Sequence, residues 1–279
     1  MEALKVEDLW FRYEGGEWVL KGISMKVSMG EDLAIVGANG AGKTTLIKHF
    51  NGLLKPMKGR VLVLGKDTRK HSVAELSKIV GIVFQNPLHM FFSNTVWEEI
   101  AFSLRNFNFP EEVIEKRVRK TLSILGLEGM EDRSPFTLSG GEMRRLALAC
   151  VLVYDPDIII MDEPTVGQDP LQKEILAEII KMLKLQGKTI IVISHDVDFI
   201  SENFSRIVVM SKGQILADGK TDEIMYDTKI LREANLVEPI IAKIMIEIER
   251  RFGRVGGRPL RTFDAIRVIR SLVRPVGGE

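Results

Sequence analysis

The sequence predicts an α/β fold, a largely parallel sheet flanked by helices. Three observations predict it. Short apolar runs alternate with segments of helical periodicity along most of the chain. Three of the runs, Asp32–Val36, Asp157–Met161 and Thr189–Ile193, are apolar after their first residue, as strands covered on both faces must be. The first of them ends in a glycine-rich turn and the second in two carboxylates, and the C-terminal strand ends are where such sheets gather ligands.

The elements follow in order. Leu4–Tyr13 and Gly22–Val27 read as strands of a smaller antiparallel sheet at the N-terminal end. Asp32–Val36 is a central strand, and a helix is expected over Thr45–Asn51. Gly81–Phe84 is a further strand. From Pro87 to about Tyr154 the pattern turns helical, with Glu111–Leu125 strongly charged and apolar at helical spacing, so a helical subdomain is inserted into the core at about 87–154. Ile207–Met210 and Gln214–Ala217, joined by Ser211-Lys212-Gly213, read as a hairpin. Residues 1–235 are thus expected to form one domain and 236–279 a helical tail. In that tail Ile240, Ile241, Ile244, Met245, Ile248 and Phe252 share one face of a helix over Pro239–Phe252. The loop Gly253–Arg261 leads to a second helix near Thr262–Val273.

Composition narrows the function. The chain has 279 residues, 45% hydrophobic and 28% charged, with a net charge of +1, so neither disorder nor a nucleic-acid partner is suggested. Cys150 stands alone, which rules out a disulfide within one chain and fits a reducing compartment. The first residues lack the basic-then-apolar pattern of a secretion signal. No apolar run approaches the roughly 18 residues that span a bilayer. Any membrane role is therefore expected to come through a partner.

The strongest chemical signal is Gly37-Ala38-Asn39-Gly40-Ala41-Gly42-Lys43-Thr44-Thr45, a phosphate loop between a predicted strand and a predicted helix. Glycines let the backbone wrap a phosphate with its N–H groups inward, and the helix N-terminus adds a favourable dipole. Lys43 is placed to reach the β- and γ-phosphates of ATP, and the Thr44 hydroxyl to ligate Mg²⁺. A plain glycine turn with a surface lysine would not need strand, loop and helix in that order. The core is accordingly a P-loop NTPase core. The strand ending in Asp162 and Glu163 supplies a carboxylate for Mg²⁺, Asp162, acting partly through water. Glu163 would polarise the attacking water.

A third element names a family. Leu138-Ser139-Gly140-Gly141-Glu142, followed by Met143-Arg144-Arg145-Leu146-Ala147-Leu148-Ala149, resembles the signature of ATP-binding-cassette ATPases. A Ser-Gly-Gly turn opening a helix is a second anion nest, though Ser139 could also be a plain helix cap. The resemblance covers roughly residues 1 to 220 and implies further roles. Ser139, Gly140, Gly141 and Glu142 would bind the ATP held by an opposite subunit. Gln85 would contact Mg²⁺ and link core to helical subdomain. Asp169 would cross the dimer interface, His195 would sense the γ-phosphate, and Tyr13 would stack on adenine, with Trp10, Phe11 and Trp18 as competing aromatics. One departure is Gly167-Gln168, where the family usually carries a small residue then leucine.

Gln85-Asn86-Pro87, Thr95-Val96-Trp97-Glu98-Glu99-Ile100-Ala101-Phe102, Pro110-Glu111-Glu112 and the helical tail resemble the ATPase subunits of energy-coupling-factor importers of vitamins and metal ions such as cobalt and nickel. The block at Thr95 also fits an ordinary capped amphipathic helix. The resemblance implies ATP and Mg²⁺ as ligands, and a second cassette, the same or homologous, as partner. It also implies a transmembrane coupling subunit, a substrate-binding membrane subunit, and a peripheral place on the cytoplasmic face of the membrane. Alternatives are an ATPase of another transporter class, a soluble cassette acting on nucleic acid or the ribosome, or a silent regulatory partner. One phosphate loop and no sustained heptad count against the soluble cassette, and Glu163 and His195 against the silent one. Met90, Phe91 and Phe92 are expected near the docking groove, with at least one of them in the core.

Overall fold

A computed structural model describes residues 1–253 and 256–273. The chain opens with β1 (Glu2–Arg12) and β2 (Trp18–Ser28), then β3 (Asp32–Val36) and α1 (Lys43–Phe50). β4 (Lys58–Val63), β5 (Lys66–Asp67), α2 (Val73–Ser77) and β6 (Val80–Val83) follow. The helical stretch holds α3 (Val96–Asn106), α4 (Glu111–Ile124) and α5 (Gly140–Leu152). The core resumes with β7 (Ile158–Asp162), α6 (Pro170–Leu185), β8 (Thr189–Ser194), α7 (Val197–Asn203), β9 (Arg206–Ser211) and β10 (Gln214–Lys220). α8 (Thr221–Ile224), α9 (Thr228–Glu233), α10 (Ile240–Phe252) and α11 (Thr262–Val273) close it.

Two sheets result. The smaller is antiparallel where it was expected, in the order β2-β1-β4-β5. The larger runs β10-β9-β3-β8-β7-β6, parallel from β9 to β6, with β10 an antiparallel edge. Side chains on a strand alternate between faces, and the two cores divide accordingly. Leu33, Ile35, Ile158, Ile160, Ile191 and Ile193 pack toward the small sheet and α1. Ala34, Val36, Ile159, Met161, Ile190 and Val192 pack toward the helices. Burial on both faces is why these strands are apolar without a break.

The helical region shares its core with the sheet. Ile100, Leu104, Ile114, Val118 and Leu122 belong to the same packed cluster as Ile159 and Met161. α3 starts where Thr95 caps it by accepting from the Glu98 N–H at 3.2 Å. In the tail, the six-residue apolar face splits. Met245 is buried against Ala265 of α11, with Ile241 and Ile248 beside it, whereas Ile240, Ile244 and Phe252 are exposed. The stripe is wider than one neighbouring helix can cover. The tail is tied to the rest by Tyr226 donating to the Pro259 carbonyl at 2.6 Å, by the Ile240 N–H donating to Asp198 at 2.7 Å, and by buried Leu260.

Candidate functional site

Four parallel strands end on one side of the large sheet, and each delivers a singled-out residue. β3 leads into the phosphate loop, β6 into Gln85, β7 ends on Asp162 before Glu163, and β8 precedes His195. They meet at a cavity of about 280 Å³ lined by Asn39, Gly40, Ala41, Gly42, Lys43, Thr44 and Thr45 together with Gln85, Glu163 and His195.

The loop's shape has local causes. Gly37 sits at φ +154°, where an added Cβ would lie 2.2 Å from the Met210 carbonyl oxygen, so only glycine lets the loop leave β3 alongside β9. Gly42 is left-handed at φ +101° and caps α1, which begins at Lys43, two residues earlier than the sequence suggested. The Lys43 ammonium donates to the Gly37 carbonyl at 2.6 Å and the Ala38 carbonyl at 3.1 Å. Burial pulls its pKa down, and the nearby charges of Glu163 and Asp162 oppose that.

Asp162 is buried, with Oδ2 accepting from the Thr44 hydroxyl at 2.8 Å and Oδ1 lacking any hydrogen-bond partner. Burial raises its pKa, and the Thr44 bond works against the rise. An unpartnered buried carboxylate oxygen beside a threonine hydroxyl is the donor set a hard cation needs. Among the described residues no group of three or more His, Cys, Asp or Glu side chains gathers to hold a metal. Mg²⁺ sites use one or two carboxylates and complete the shell with water and phosphate oxygens.

Glu163 lies just past the strand, buried, at φ +50°. Left-handed backbone in a non-glycine residue persists only where its surroundings hold it, and such strain gathers at functional sites. Here the Glu163 N–H donates to the Ile193 carbonyl at 2.8 Å. Its carboxylate accepts from the His195 backbone N–H at 3.3 Å and lies 2.8 Å from His195 Nδ1. The two residues that the sequence placed in separate motifs are thus one hydrogen-bonded unit.

Tyr13 is half-exposed at the loop's rim, its hydroxyl 3.3 Å from Thr45 Oγ1 and its ring edge-on to Phe11 at 5.1 Å. Of the competing aromatics, Trp10 and Trp18 pack edge-to-face at 5.5 Å under the Lys58 ammonium, and Phe11 is buried against Tyr13. Val19 and Val166 also line the cavity and were not singled out. Only the closeness of Val19 to the exposed end of a predicted strand could have pointed to it.

The signature and the Asp169 loop are not in this cavity. Ser139 caps α5 in a reciprocal capping box, its N–H donating to Glu142 at 2.7 Å and its hydroxyl accepting from the Glu142 N–H at 3.4 Å. Gly140 has open space around it. Asp169 caps α6 through the Gln172 N–H at 2.9 Å, and Gln172 accepts from Arg145 at 2.8 Å, which joins signature helix to Asp169 loop. Gln168 lines an adjoining pocket with Arg144, Gln172 and Ile175, which shares Gln85 with the nucleotide cavity and reaches Asp162.

In the stretch where docking was expected, Phe91 is buried and Met90 partly so, while Phe92 is 60% exposed and packs edge-to-face on exposed Phe102 at 4.5 Å. Buried Glu99 accepts from the Phe92 and Ser93 N–H groups at 2.9 and 2.7 Å and fixes that loop.

The profile of the family described as ABC transporter matches residues 20–166, which carry the loop, Gln85, the signature and both carboxylates. The chain belongs to this family. It is an ABC ATPase, an enzyme that hydrolyses ATP. It is 43% identical over 247 residues to the energy-coupling factor transporter ATP-binding protein EcfA of Methanocaldococcus jannaschii, 88% of each chain. A putative ABC transporter ATP-binding protein of Pyrococcus abyssi is 46% identical over 251 residues, 90% of this chain and 95% of the other. Among solved structures, cbiO1 of Clostridium perfringens, described as part of the ABC transporter complex cbiONQ, superposes with a TM-score of 0.75 at 37% identity. That match covers 88% of this chain and 99% of the other. A dimeric ATP-binding cassette in a post-hydrolysis state with ADP and phosphate gives 0.71 at 28% identity, over 78% of this ABC ATPase and 98% of the other.

Proposed function

We propose that this ABC ATPase closes as a pair around ATP and powers an energy-coupling-factor importer of vitamins or transition-metal ions. One observation supports the pairing: the cavity gathers the phosphate loop, Gln85, Glu163 and His195, yet the signature residues Ser139 and Gly140, which open α5, lie outside it. A signature left out of its own chain's cavity is free to meet another chain's nucleotide.

Within each half, Asn39, Gly40, Ala41, Gly42, Lys43, Thr44 and Thr45 cradle the phosphates, and Tyr13 stacks on adenine. Lys43 gives up its loop carbonyls for the β- and γ-phosphates. Thr44, Asp162 and Gln85 would hold Mg²⁺, Asp162 partly through water, and such an ion would supply neutralisation of charge on the transferring phosphate. Glu163 orients the attacking water, with its carboxylate held in place by His195, which also senses the γ-phosphate. Ser139, Gly140, Gly141 and Glu142 of the partner close over that phosphate, and Asp169 crosses the interface beside them. Loss of the γ-phosphate after hydrolysis removes these contacts and opens the pair.

The importer class rests on the relatives named EcfA and cbiO1 and on the docking stretch. A transmembrane coupling subunit would seat a helix on Met90, Phe92 and Phe102, and Gln85 would carry its motion to the nucleotide. A substrate-binding membrane subunit would then choose the cargo. With these subunits the chain would sit on the cytoplasmic face of the membrane; among the described residues no helix is long and apolar enough to cross the bilayer itself. Affinity purification from detergent-solubilised membranes tests this. Two membrane proteins are expected to co-purify, and Met90→Glu is expected to lose them while still binding ATP. Retention of both by a folded Met90→Glu variant would remove the docking role, and their absence from the native preparation would remove the importer reading.

A further inference from the structure

We propose that His49 is a positioning residue for the nucleobase, locking the Tyr13 platform to the phosphate loop from behind. This rests on the reading of Tyr13 as the adenine platform. His49 is wholly buried on α1, one turn past Thr45. Its Nδ1 lies 2.8 Å from the Thr45 carbonyl, which can only accept, so Nδ1 carries the hydrogen and Nε2 is left bare. Nε2 makes no full hydrogen bond; the Lys55 backbone lies close to the ring without closing one. A buried polar nitrogen without a partner costs free energy that a leucine would not, so the imidazole needs a compensating role.

The ring contacts supply one. Phe11 packs edge-on to the His49 ring at 4.7 Å, and Tyr13 edge-on to Phe11 at 5.1 Å. The Tyr13 hydroxyl returns to Thr45 Oγ1 at 3.3 Å, and the Thr45 carbonyl receives His49. These four contacts form a closed circuit through His49, Phe11, Tyr13 and Thr45. Tyr13 itself stands just beyond the end of β1 with no strand partner and half its surface in water. Its place relative to the phosphates is therefore set from behind. Thr45 belongs to the phosphate cavity, so one circuit fixes the spacing between base and phosphate sites.

The test compares two probes on the full chain with Mg²⁺ present: ATP, which has a base, and inorganic tripolyphosphate, which has none. His49→Leu is expected to weaken ATP binding about tenfold, roughly the worth of one or two aromatic contacts. Tripolyphosphate affinity should stay within about twofold, a change of under half a kcal/mol. Adding His49→Leu to Tyr13→Leu should cost nothing further. Equal losses for both probes would reduce His49 to packing for α1, and an unchanged ATP affinity would also overturn the proposal. Should His49→Leu not fold, His49→Asn, which keeps a donor for Thr45 but no ring, should show the same selective loss. Unchanged selectivity there overturns the proposal equally. If instead Tyr13→Leu leaves the ratio of the two affinities untouched, the platform reading itself fails, which is a distinct result.

Discussion

At the scale of single residues, the site is a set of groups held in unfavourable states by their neighbours. Glu163 is kept left-handed, Asp162 is buried with one bare oxygen, and Lys43 is desolvated against carbonyls. Glu163→Gln keeps the shape but removes the charge proposed to orient water. It is expected to bind ATP normally and to lower turnover by about a hundredfold or more, as a phosphate-release assay would read. Near-normal turnover would return Glu163 to a structural role. Lys43→Ala should act on binding instead, weakening ATP about tenfold to a hundredfold, since a charge-assisted contact is lost. His49 gives a pH signature. Burial pushes its pKa down to about 4 from 6.5, and the nearby carbonyls of Thr45 and Lys55 oppose this without cancelling it. Between these values the unfolded chain binds a proton that the folded chain does not. Stability from this group is therefore complete above about pH 6.5 and is lost as pH falls toward about 4. By about pH 5 the native protein should have lost roughly 2 kcal/mol more, relative to pH 7, than His49→Leu has. Urea unfolding at the two pH values measures this, and parallel losses would contradict it.

At the scale of elements, local capping fixes the pieces that must stay accessible. Glu99 is the clearest case, since one carboxylate oxygen accepts two loop N–H groups beneath exposed Phe92. Glu99→Ala leaves both donors unpaired and should cost about 2 kcal/mol, seen as a lower urea midpoint with unchanged ATP affinity. A midpoint equal to the native one would mean the loop finds other partners. The same elements show what was legible in the sequence. The central strands were, because DLAIV, DIIIM and TIIVI are covered on both faces and carry no alternation to misread. The ends were less so. The second strand begins at Trp18 rather than Gly22, since the glycine at 22 is tolerated inside a paired strand at φ +72°. β4 and β5 went unread because KGRVLV and KD have weak patterns and are defined by pairing with β1 and with each other. Phosphate loop, carboxylates and signature were legible as motifs, whereas the Glu163–His195 bond, the His49 circuit and the Glu99 clamp join residues far apart or of ordinary type. Only folding brings them together.

At the scale of the whole molecule, the ends of the parallel strands carry a nucleotide cavity and the signature at Ser139 lies outside it, as the proposed two-chain site requires. The half of the α10 stripe with Ile240, Ile244 and Phe252, and Phe263 of α11, are exposed, and in the proposed pair they would form a second contact between the partners. Truncation after Val237 is expected to weaken the pair both with and without ATP, and unchanged affinity would assign the stripe to this chain's own packing. The most direct test of the two-chain site is the mass of Glu163→Gln in solution, measured by light scattering during size-exclusion chromatography. With ATP and Mg²⁺ it should elute at a higher multiple of the chain mass than it does without nucleotide or with ADP. Replacing Ser139 by Arg should abolish that increase while nucleotide binding persists. A Glu163→Gln protein that binds ATP and keeps the same mass in every condition would contradict the account.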